Sequence, residues 1–325
     1  MSAISEALLG GLRAAAVPYT EQEPLAAHTT FRIGGAAACL AAPEGVVQLL
    51  TVLRLWREVG DGCPLFILGR GSNLLCADSG FPGLVVATRG VRDVRLTPDG
   101  DGGARLYVGC GAPLAGLSRL CAEASPALSG LEFACGIPGT VGGAIVMNAG
   151  AYGGEIGSLV LSSRYLDTGD GSIRSLTHKE HDFSYRHSIY QDHPSWVLLD
   201  AELCLAHGDA AEIKATMASI LSARQQKQPL EHPSAGSVFR RPTDPGRYVG
   251  QMVEACGLKG FAIGDAQVSE KHAGFIINKG HATAREVRRL ICHIRSRVWE
   301  EFHVRLEPEL CFVGEDDPPE EGGRP

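Results

Sequence analysis

The sequence predicts an α+β protein. Three observations carry this: several long segments repeat apolar residues at helical spacing, short apolar runs bounded by glycine or proline lie between them, and no stretch repeats another. At 325 residues with 44% hydrophobic content, the chain is long enough for roughly two domains of about 150 residues and can bury a sizeable core.

The opening segment, MSAISEALLGGLRAAAVP, places Glu6 ahead of its first basic residue and has only a short apolar run. A secretory leader needs a basic start and a continuous apolar stretch, so residues 1–20 are expected to form an N-terminal helix rather than an export signal. Residues 44–59 set Val46, Leu49, Leu50 and Leu53 on one helical face, and Gly60 stops them. Pro64 then leads into the strand-like run LFILG and the loop GRGSN, and further strands are expected over GLVVAT (83–88) and RLYVG (105–109). A strand is expected over 196–206, followed by a helix with Ile213, Met217, Ile220 and Leu221 on one face that Pro229 ends. A domain boundary near 229 follows, because LEHPSAGSVFRRPTDPGR is rich in turn formers and opens a region of different pattern. In that region Thr283 and Glu286 fit a capping box ahead of a helix whose face is Val287, Leu290, Ile291, Ile294, Val298 and Phe302. RLEPELCFVG reads as a final strand, and residues 315–325, acidic and proline-rich, as a disordered tail.

Charge and cysteine content exclude several classes. Thirty-seven acidic against 30 basic residues, a net charge of -7, supply no basic field for a nucleic acid polymer. No window reaches the eighteen or so uncharged apolar residues of a membrane span. The ten cysteines form no CxxC pair and, with no leader, are expected to be reduced core residues in a cytoplasmic protein. No histidine spacing indicates a metal.

Residues 136–157, GIPGTVGGAIVMNAGAYGGEIG, contain eight glycines and almost no charge. Glycine lets main-chain N–H groups approach a ligand, as in turns that hold phosphate oxygens. A second turn of this kind, LGRGSNLL at 68–75, follows a buried run and adds the Ser72 hydroxyl and the Asn73 amide. Two such loops suggest a dinucleotide, while a tight set of turns in an irregular region is the competing reading of the same glycines. Neither a Rossmann fingerprint nor a P-loop fits, since Leu74 stands where a third glycine would be needed and no GK[ST] follows a glycine loop.

The array HTTFRIGG (28–35), LGRGSNLL (68–75), GIPGTVGGAIVMNAGAYGGE (136–155), FSYRHS (183–188), SAGSVFRRP (234–242), QVSEKHAGFIIN (267–278) and LEPE (306–309) resembles the UDP-N-acetylenolpyruvoylglucosamine reductase family, over roughly residues 20–314. The resemblance implies a vanillyl-alcohol-oxidase (PCMH) type FAD-binding domain of two subdomains over 21–228, and a C-terminal α/β substrate-binding domain over 229–314. It implies non-covalent FAD, NADPH as hydride donor, and reduction of the enolpyruvyl ether of UDP-N-acetylglucosamine to UDP-N-acetylmuramate for peptidoglycan. By motif match, Arg32, Gly69, Gly71, Ser72, Asn73, Gly136, Gly139, Thr140, Gly142 and Gly143 fall on the cofactor side. Ser237 matches the family's proton donor and Arg186 the arginine that faces the substrate carboxylate. Lys259, Lys271 and Asn278 lie where the family contacts substrate.

A period-two reading of LEPELCFV puts Glu307 and Glu309 on one face and Leu306, Leu310 and Phe312 on the other, and periodicity does not choose between the two glutamates. The resemblance implies a catalytic glutamate near the C-terminus as the second polar partner of the substrate's enolate, and family alignment to the following apolar run favours Glu309. Arg240 and Arg241 stand where the family's usual lysine and asparagine follow the GS-aromatic pair, Val238 takes the first aromatic place, and no long insertion separates Arg186 from Ser237, which matches the shorter, second type of the family. A flavin oxidase of the same fold would often carry a covalent attachment residue near the first glycine turn, where only Cys76 is offered, and a silent nucleotide-binding module would be expected to lose the Ser, Arg and Glu set. A monomer is expected.

Overall fold

The computed structural model describes residues 4–100, 102–242 and 246–315, so the tail expected over 315–325 falls outside the described residues except for Glu315. Helix α1 (Glu6–Ala14) is capped by Ser5, whose hydroxyl accepts from the Leu8 amide, and it buries Leu8, Leu9 and Leu12. The expectation of a helix to residue 20 needs correction, because strand β1 (Tyr19–Pro24) already begins there. That strand lies antiparallel to β2 (Ala36–Ala41). Helix α2 (Val46–Val59) follows, then β3 (Leu65–Leu68), β4 (Leu74–Cys76) and β5 (Phe81–Ala87). The first sheet runs β1-β2-β5-β3, with β5 parallel to both β2 and β3.

A second sheet is antiparallel throughout. It is built from β6 (Val94–Asp99), β7 (Gly103–Gly109), β8 (Leu128–Ser129), β11 (Val160–Asp167), β12 (Ile173–Thr177) and β13 (Trp196–His207), in the order β12-β11-β13-β7-β6 with β8 on β13. Helix α3 (Leu114–Glu123), the short helix α4 (Val141–Val146) and the two-residue strands β9 (Gly150–Ala151) and β10 (Gly154–Glu155) lie within the connections. Leu49, Leu53, Leu84, Leu106, Leu114, Ile145 and Leu203 share one core across both sheets. Helix α5 (Ala210–Lys227) ends before Pro229 as expected and buries Ile213 and Ile220. Leu221, expected on the same face, is exposed, since it follows Ile220 by one residue and so sits about 100° round the helix.

The C-terminal region holds an antiparallel sheet, β14-β17-β16-β15, from β14 (Ser234–Ser237), β15 (Ala262–Ile263), β16 (Ala266–Val268) and β17 (Phe275–Asn278), with α6 (Val249–Ala255) and α7 (Ala284–Phe302). Its core of Val238, Val253, Ile276, Leu290, Ile291 and Ile294 also takes in Phe31, Ile33 and Leu75 from the first quarter of the chain. The final strand is shorter than expected: β18 covers only Cys311–Val313, parallel to β4. Residues 305–310 are irregular and held by single contacts such as the Phe239–Pro308 bridge, so the alternation fails and Phe312 faces outward at 40% exposure. Among the described residues no helix is long and apolar enough to cross a membrane.

Candidate active site

The three regions meet around a cavity of about 1910 Å³. Its walls are the loop after β3, the segment from Ile137 to Ala151, the turn that carries Arg186, the approach to and end of β14, and the chain at Glu309. Of the catalytic, cofactor and substrate residues assigned from the sequence, all line this cavity except Gly136 and Asn278.

The loop after β3 is fixed from behind. Arg89 donates from Nε to Gly69 O at 3.2 Å and from Nη2 to His28 O at 2.9 Å, and the Thr30 amide donates to Gly71 O at 3.1 Å. Gly71 has φ +62° and lies so close to His28 that a Cβ would come within 2.4 Å of its carbonyl oxygen, so any other residue would displace the loop. The Gly71 and Ser72 amides have no protein acceptor among the described residues. Opposite, Thr140 caps α4 by accepting from the Gly143 amide at 3.3 Å, and Gly69 presses against the same hydroxyl, where a Cβ would lie 2.6 Å away. Arg32, in the left-handed region at φ +55°, adds a cation to the wall.

The glycines of 136–157 divide by neighbour. Gly142 abuts Cys110, Gly154 abuts Phe133 and Gly136 abuts Arg224, each with protein atoms within about 3 Å of where a Cβ would stand. Gly139 and Gly143 combine a place on the cavity wall with room for a Cβ, having nothing nearer than 3.7 and 3.6 Å respectively. Protein packing alone does not require glycine at those two positions, whereas a ligand lying against the wall would.

Arg186 occupies a tight turn closed by reciprocal backbone bonds between Ser184 and His187, and it takes φ +57°. That conformation disfavours a residue with a side chain, and neighbouring groups hold it. The Asn148 amide donates to Ser184 O at 2.8 Å, while the Gln191 amide donates to Arg186 O at 2.9 Å. From this turn Arg186 donates through Nε to Glu309 Oε1 at 3.0 Å and through Nη2 to Gly150 O at 3.0 Å. Glu309 is fixed by its own backbone: its amide donates to Val238 O at 2.7 Å, and its carbonyl accepts from Asn73 Nδ2 at 2.9 Å. Burial pushes the Glu309 carboxyl above the ordinary carboxylate range, with Arg186 and Arg240 pulling it partly back. Glu307, its period-two partner, is exposed and off the cavity, so the structure separates two residues that alternation left equivalent.

Ser237 ends β14, paired with Phe275, and its hydroxyl makes a 3.4 Å bond to Phe239 O. Close by, His272 Nδ1 accepts from the Gly274 amide at 3.1 Å, which puts the ring proton of its neutral form on Nε2. Burial, aided by Lys259, lowers the His272 pKa.

Lys259 pairs with Glu254 at 2.7 Å and Lys271 with Glu231 at 3.6 Å on the cavity rim. Asn278 is elsewhere. Buried at 2% exposure, it donates to Phe31 O at 3.1 Å and accepts from the Gly280 and Ala282 amides at 2.9 and 3.0 Å, which leaves its side chain no face for a substrate. The expected substrate contact is therefore replaced by a packing role that joins β17 to the chain at Phe31. Cavity residues that sequence reasoning missed include Arg224, Lys227, Tyr185, His272, and Tyr248, whose ring lies 5.2 Å under the Arg241 guanidinium. Arg241 and Tyr248 lie in or just after a stretch already singled out, and His272 lies inside QVSEKHAGFIIN. Arg224 and Lys227 had no local signal beyond two cations a turn apart at a helix end.

Cys76, the one cysteine near the first glycine turn, is buried off the cavity with its thiol pushed up to about 12, and Cys110 on the wall is likewise at about 12. Such thiols are not the thiolates that covalent attachment needs. Among the described residues no three His, Cys, Asp or Glu side chains gather as metal ligands.

Residues 37–177 match the family model described as FAD binding domain, and residues 228–313 match that of the UDP-N-acetylenolpyruvoylglucosamine reductase C-terminal domain. A UDP-N-acetylenolpyruvoylglucosamine reductase of Agathobacter rectalis is 44% identical over 305 residues, covering 91% of this chain and 94% of that protein. One of Caldanaerobacter subterraneus subsp. tengcongensis is also 44% identical, over 293 residues, covering 90% and 93%. The crystal structure of the enzyme of the same name from Thermus caldophilus superposes with a TM-score of 0.72 at 33% identity, covering 92% of this chain and 99% of that one. With nine-tenths of its length aligned at that identity, the chain belongs to the UDP-N-acetylenolpyruvoylglucosamine reductase family.

Proposed function

We propose that the chain catalyses the NADPH-dependent, FAD-mediated reduction of UDP-N-acetylglucosamine enolpyruvate to UDP-N-acetylmuramate, a step of peptidoglycan precursor synthesis. The observation that carries this reading is the convergence of Arg186, Glu309 and Ser237 with two glycine loops on one cavity. The names of the relatives support the reaction, and the FAD binding domain match supports the cofactor. In this reading residues 21–228 hold the cofactor in two subdomains, residues 229–314 hold the substrate, and the protein works as a monomer in the cytoplasm with no nucleic acid partner.

FAD fits the residues present. The open Cβ positions of Gly139 and Gly143 leave room for a flat ligand, and the free amides of Gly71 and Ser72 suit its pyrophosphate, with Arg32, Gly69, Asn73, Thr140 and Gly142 completing the cradle. FAD held by these residues would supply hydride transfer from NADPH to the methylene carbon of the enolpyruvyl group, chemistry that no side chain offers.

The chain's own task is to manage the charge and the proton. Negative charge develops on the substrate's carboxylate and enolate oxygens, and the planar Arg186 guanidinium, already oriented by Glu309 and Gly150, offers its remaining N–H donors to it. Glu309 holds its proton to higher pH than an exposed glutamate would, and in its protonated form it donates a hydrogen bond to the same oxygens. Ser237 gives its hydroxyl proton to the carbon beside the carboxylate and recovers one from solvent, so the two hydrogens added are one hydride and one proton. Lys259 and Lys271 attract the UDP diphosphate.

An anaerobic visible spectrum tests the proposal. Bound flavin should bleach with NADPH and regain its colour when the UDP-enolpyruvyl sugar is added. A flavin that bleaches without recovering would keep the cofactor and reject the acceptor, and protein that holds no flavin in added FAD would reject both.

A further inference from the structure

Arg224 is half-buried on α5 with its guanidinium on the cavity wall, and among the described residues it has neither an ion-pair partner nor a side-chain hydrogen bond. The ionisable groups whose charge it feels are Tyr152 and Cys135, neither of them a carboxylate, and burial is the main influence on it, lowering its pKa. Arginine does not give up its proton in a protein, so a half-buried guanidinium that faces the cavity with no acid beside it is placed to take an anionic group of a ligand. The surroundings are shaped to keep it there. A Cβ on Gly136 would lie 2.5 Å from Arg224 Cδ and 2.6 Å from Nε, so the first glycine of GIPGTVGG makes room for this side chain rather than for the ligand. One turn on, Lys227 adds a second cation to the same wall.

Resting on the function proposed above, we infer that Arg224 holds a phosphate group of a nucleotide ligand in this cavity, and that Gly136 serves to admit its guanidinium. Three ligands of the reaction carry that chemistry: the pyrophosphate of FAD, that of NADPH and that of the UDP-sugar. A diphosphate oxygen accepting from a fixed guanidinium fork forms a strong charge-assisted contact, while the neighbouring GIPGT loop supplies backbone to the other side of the ligand.

The test uses Arg224→Met, which keeps the alkyl stem against Gly136 but removes the charge, Arg224→Lys, which restores a cation, and Gly136→Ala, which displaces the guanidinium with the arginine still present. For each, FAD retention by flavin fluorescence on ultrafiltration, UDP binding by calorimetry, and the NADPH concentration dependence of anaerobic flavin bleaching are measured against wild type. Arg224→Met and Gly136→Ala should weaken the same one of the three ligands by about tenfold or more, and Arg224→Lys should recover part of the loss. The ligand affected identifies the phosphate that is held. If all three affinities stay within twofold of wild type in Arg224→Met, whether or not the thermal midpoint falls, or if Arg224→Lys recovers none of the loss, Arg224 is a packing residue and the inference is overturned. A wild-type protein that binds no flavin or does not regain colour with the sugar would instead overturn the proposed function, so the two failures are separable.

Discussion

Replacing Ser237 by alanine removes a hydroxyl whose one hydrogen bond among the described residues is a 3.4 Å bond to Phe239 O, so the fold should tolerate the change. Bleaching by NADPH should be unchanged and reoxidation by the enolpyruvyl sugar slowed by roughly 10² to 10⁴, the usual scale for one positioned acid, as read by anaerobic stopped-flow. Arg186→Lys should act differently. Lysine cannot contact Glu309 and Gly150 while also presenting a planar face to a carboxylate, so the rise should be in KM for the sugar as well as the loss in kcat, with flavin reduction again untouched. That Ser237, Arg186 and Glu309 meet on one cavity was legible because they sit in motifs whose order along the chain is distinctive. Asn278 misled for the opposite reason: it sits inside such a motif, but it is buried off the cavity, where its side chain bonds Phe31, Gly280 and Ala282. Glu307 and Glu309 were inseparable by alternation because the chain around them is not a strand, and the choice comes from one backbone bond, Glu309 N to Val238 O.

At the scale of elements, α7 begins with every early amide accounted for. Thr283 accepts from the Glu286 amide at 3.1 Å and Glu286 reaches back to the Thr283 amide at 3.0 Å, the capping box that the sequence announced. The two amides between them donate to Asp78, Ala284 at 2.7 Å and Arg285 at 3.0 Å, across the structure from the loop after β4. A carboxylate there satisfies two orphan donors and complements the helix dipole. Thr283→Ala should cost about 1 kcal/mol and Asp78→Ala about 1 to 2 kcal/mol in urea unfolding. Because Asp78 ties the C-terminal helix to the first sheet, its loss should also separate the unfolding of the two regions, detectable as non-coincident transitions by tryptophan fluorescence and far-UV dichroism. Local signals found the box because its partners lie three residues apart. No local signal could find Asp78, or the pairing of β18 with β4, since both depend on how distant segments meet.

For the whole molecule, acid sensitivity follows from what the core keeps neutral. His181 has no exposed surface. Its Nδ1 bonds Thr177 O at 2.8 Å, which makes Nδ1 the donor, so Nε2 accepts the Ser163 hydroxyl at 2.7 Å, and Ser163 in turn accepts from Tyr190 at 2.6 Å. A second ring proton would make Nε2 a donor and reverse the Ser163–Tyr190 bond, leaving one of those two hydroxyl hydrogens without an acceptor in the chain, and burial is the main influence that lowers the His181 pKa below 6.5. His272 is lowered for the same reason. The sign follows from proton counts. Above about pH 6.5 both states are neutral at these rings and nothing changes, whereas below it the unfolded chain takes up protons that the folded chain refuses, so stability falls as pH falls, by up to about 1.4 kcal/mol per pH unit for each ring. Glu309 works against this: its folded pKa is raised, so between the ordinary carboxylate value and that raised value the folded chain holds the extra proton and gains as pH falls. Two rings against one carboxyl leave a net loss below pH 6.5. Chemical denaturation from pH 7.5 to 5 should therefore show stability flat above 6.5 and declining below it. His181→Gln should be less stable at pH 7.5, because the Ser163 chain is broken, yet should decline less steeply with acid. A variant that lost stability equally at every pH, with the wild-type slope retained, would remove His181 from this role and leave the acid sensitivity to other groups, His272 among them.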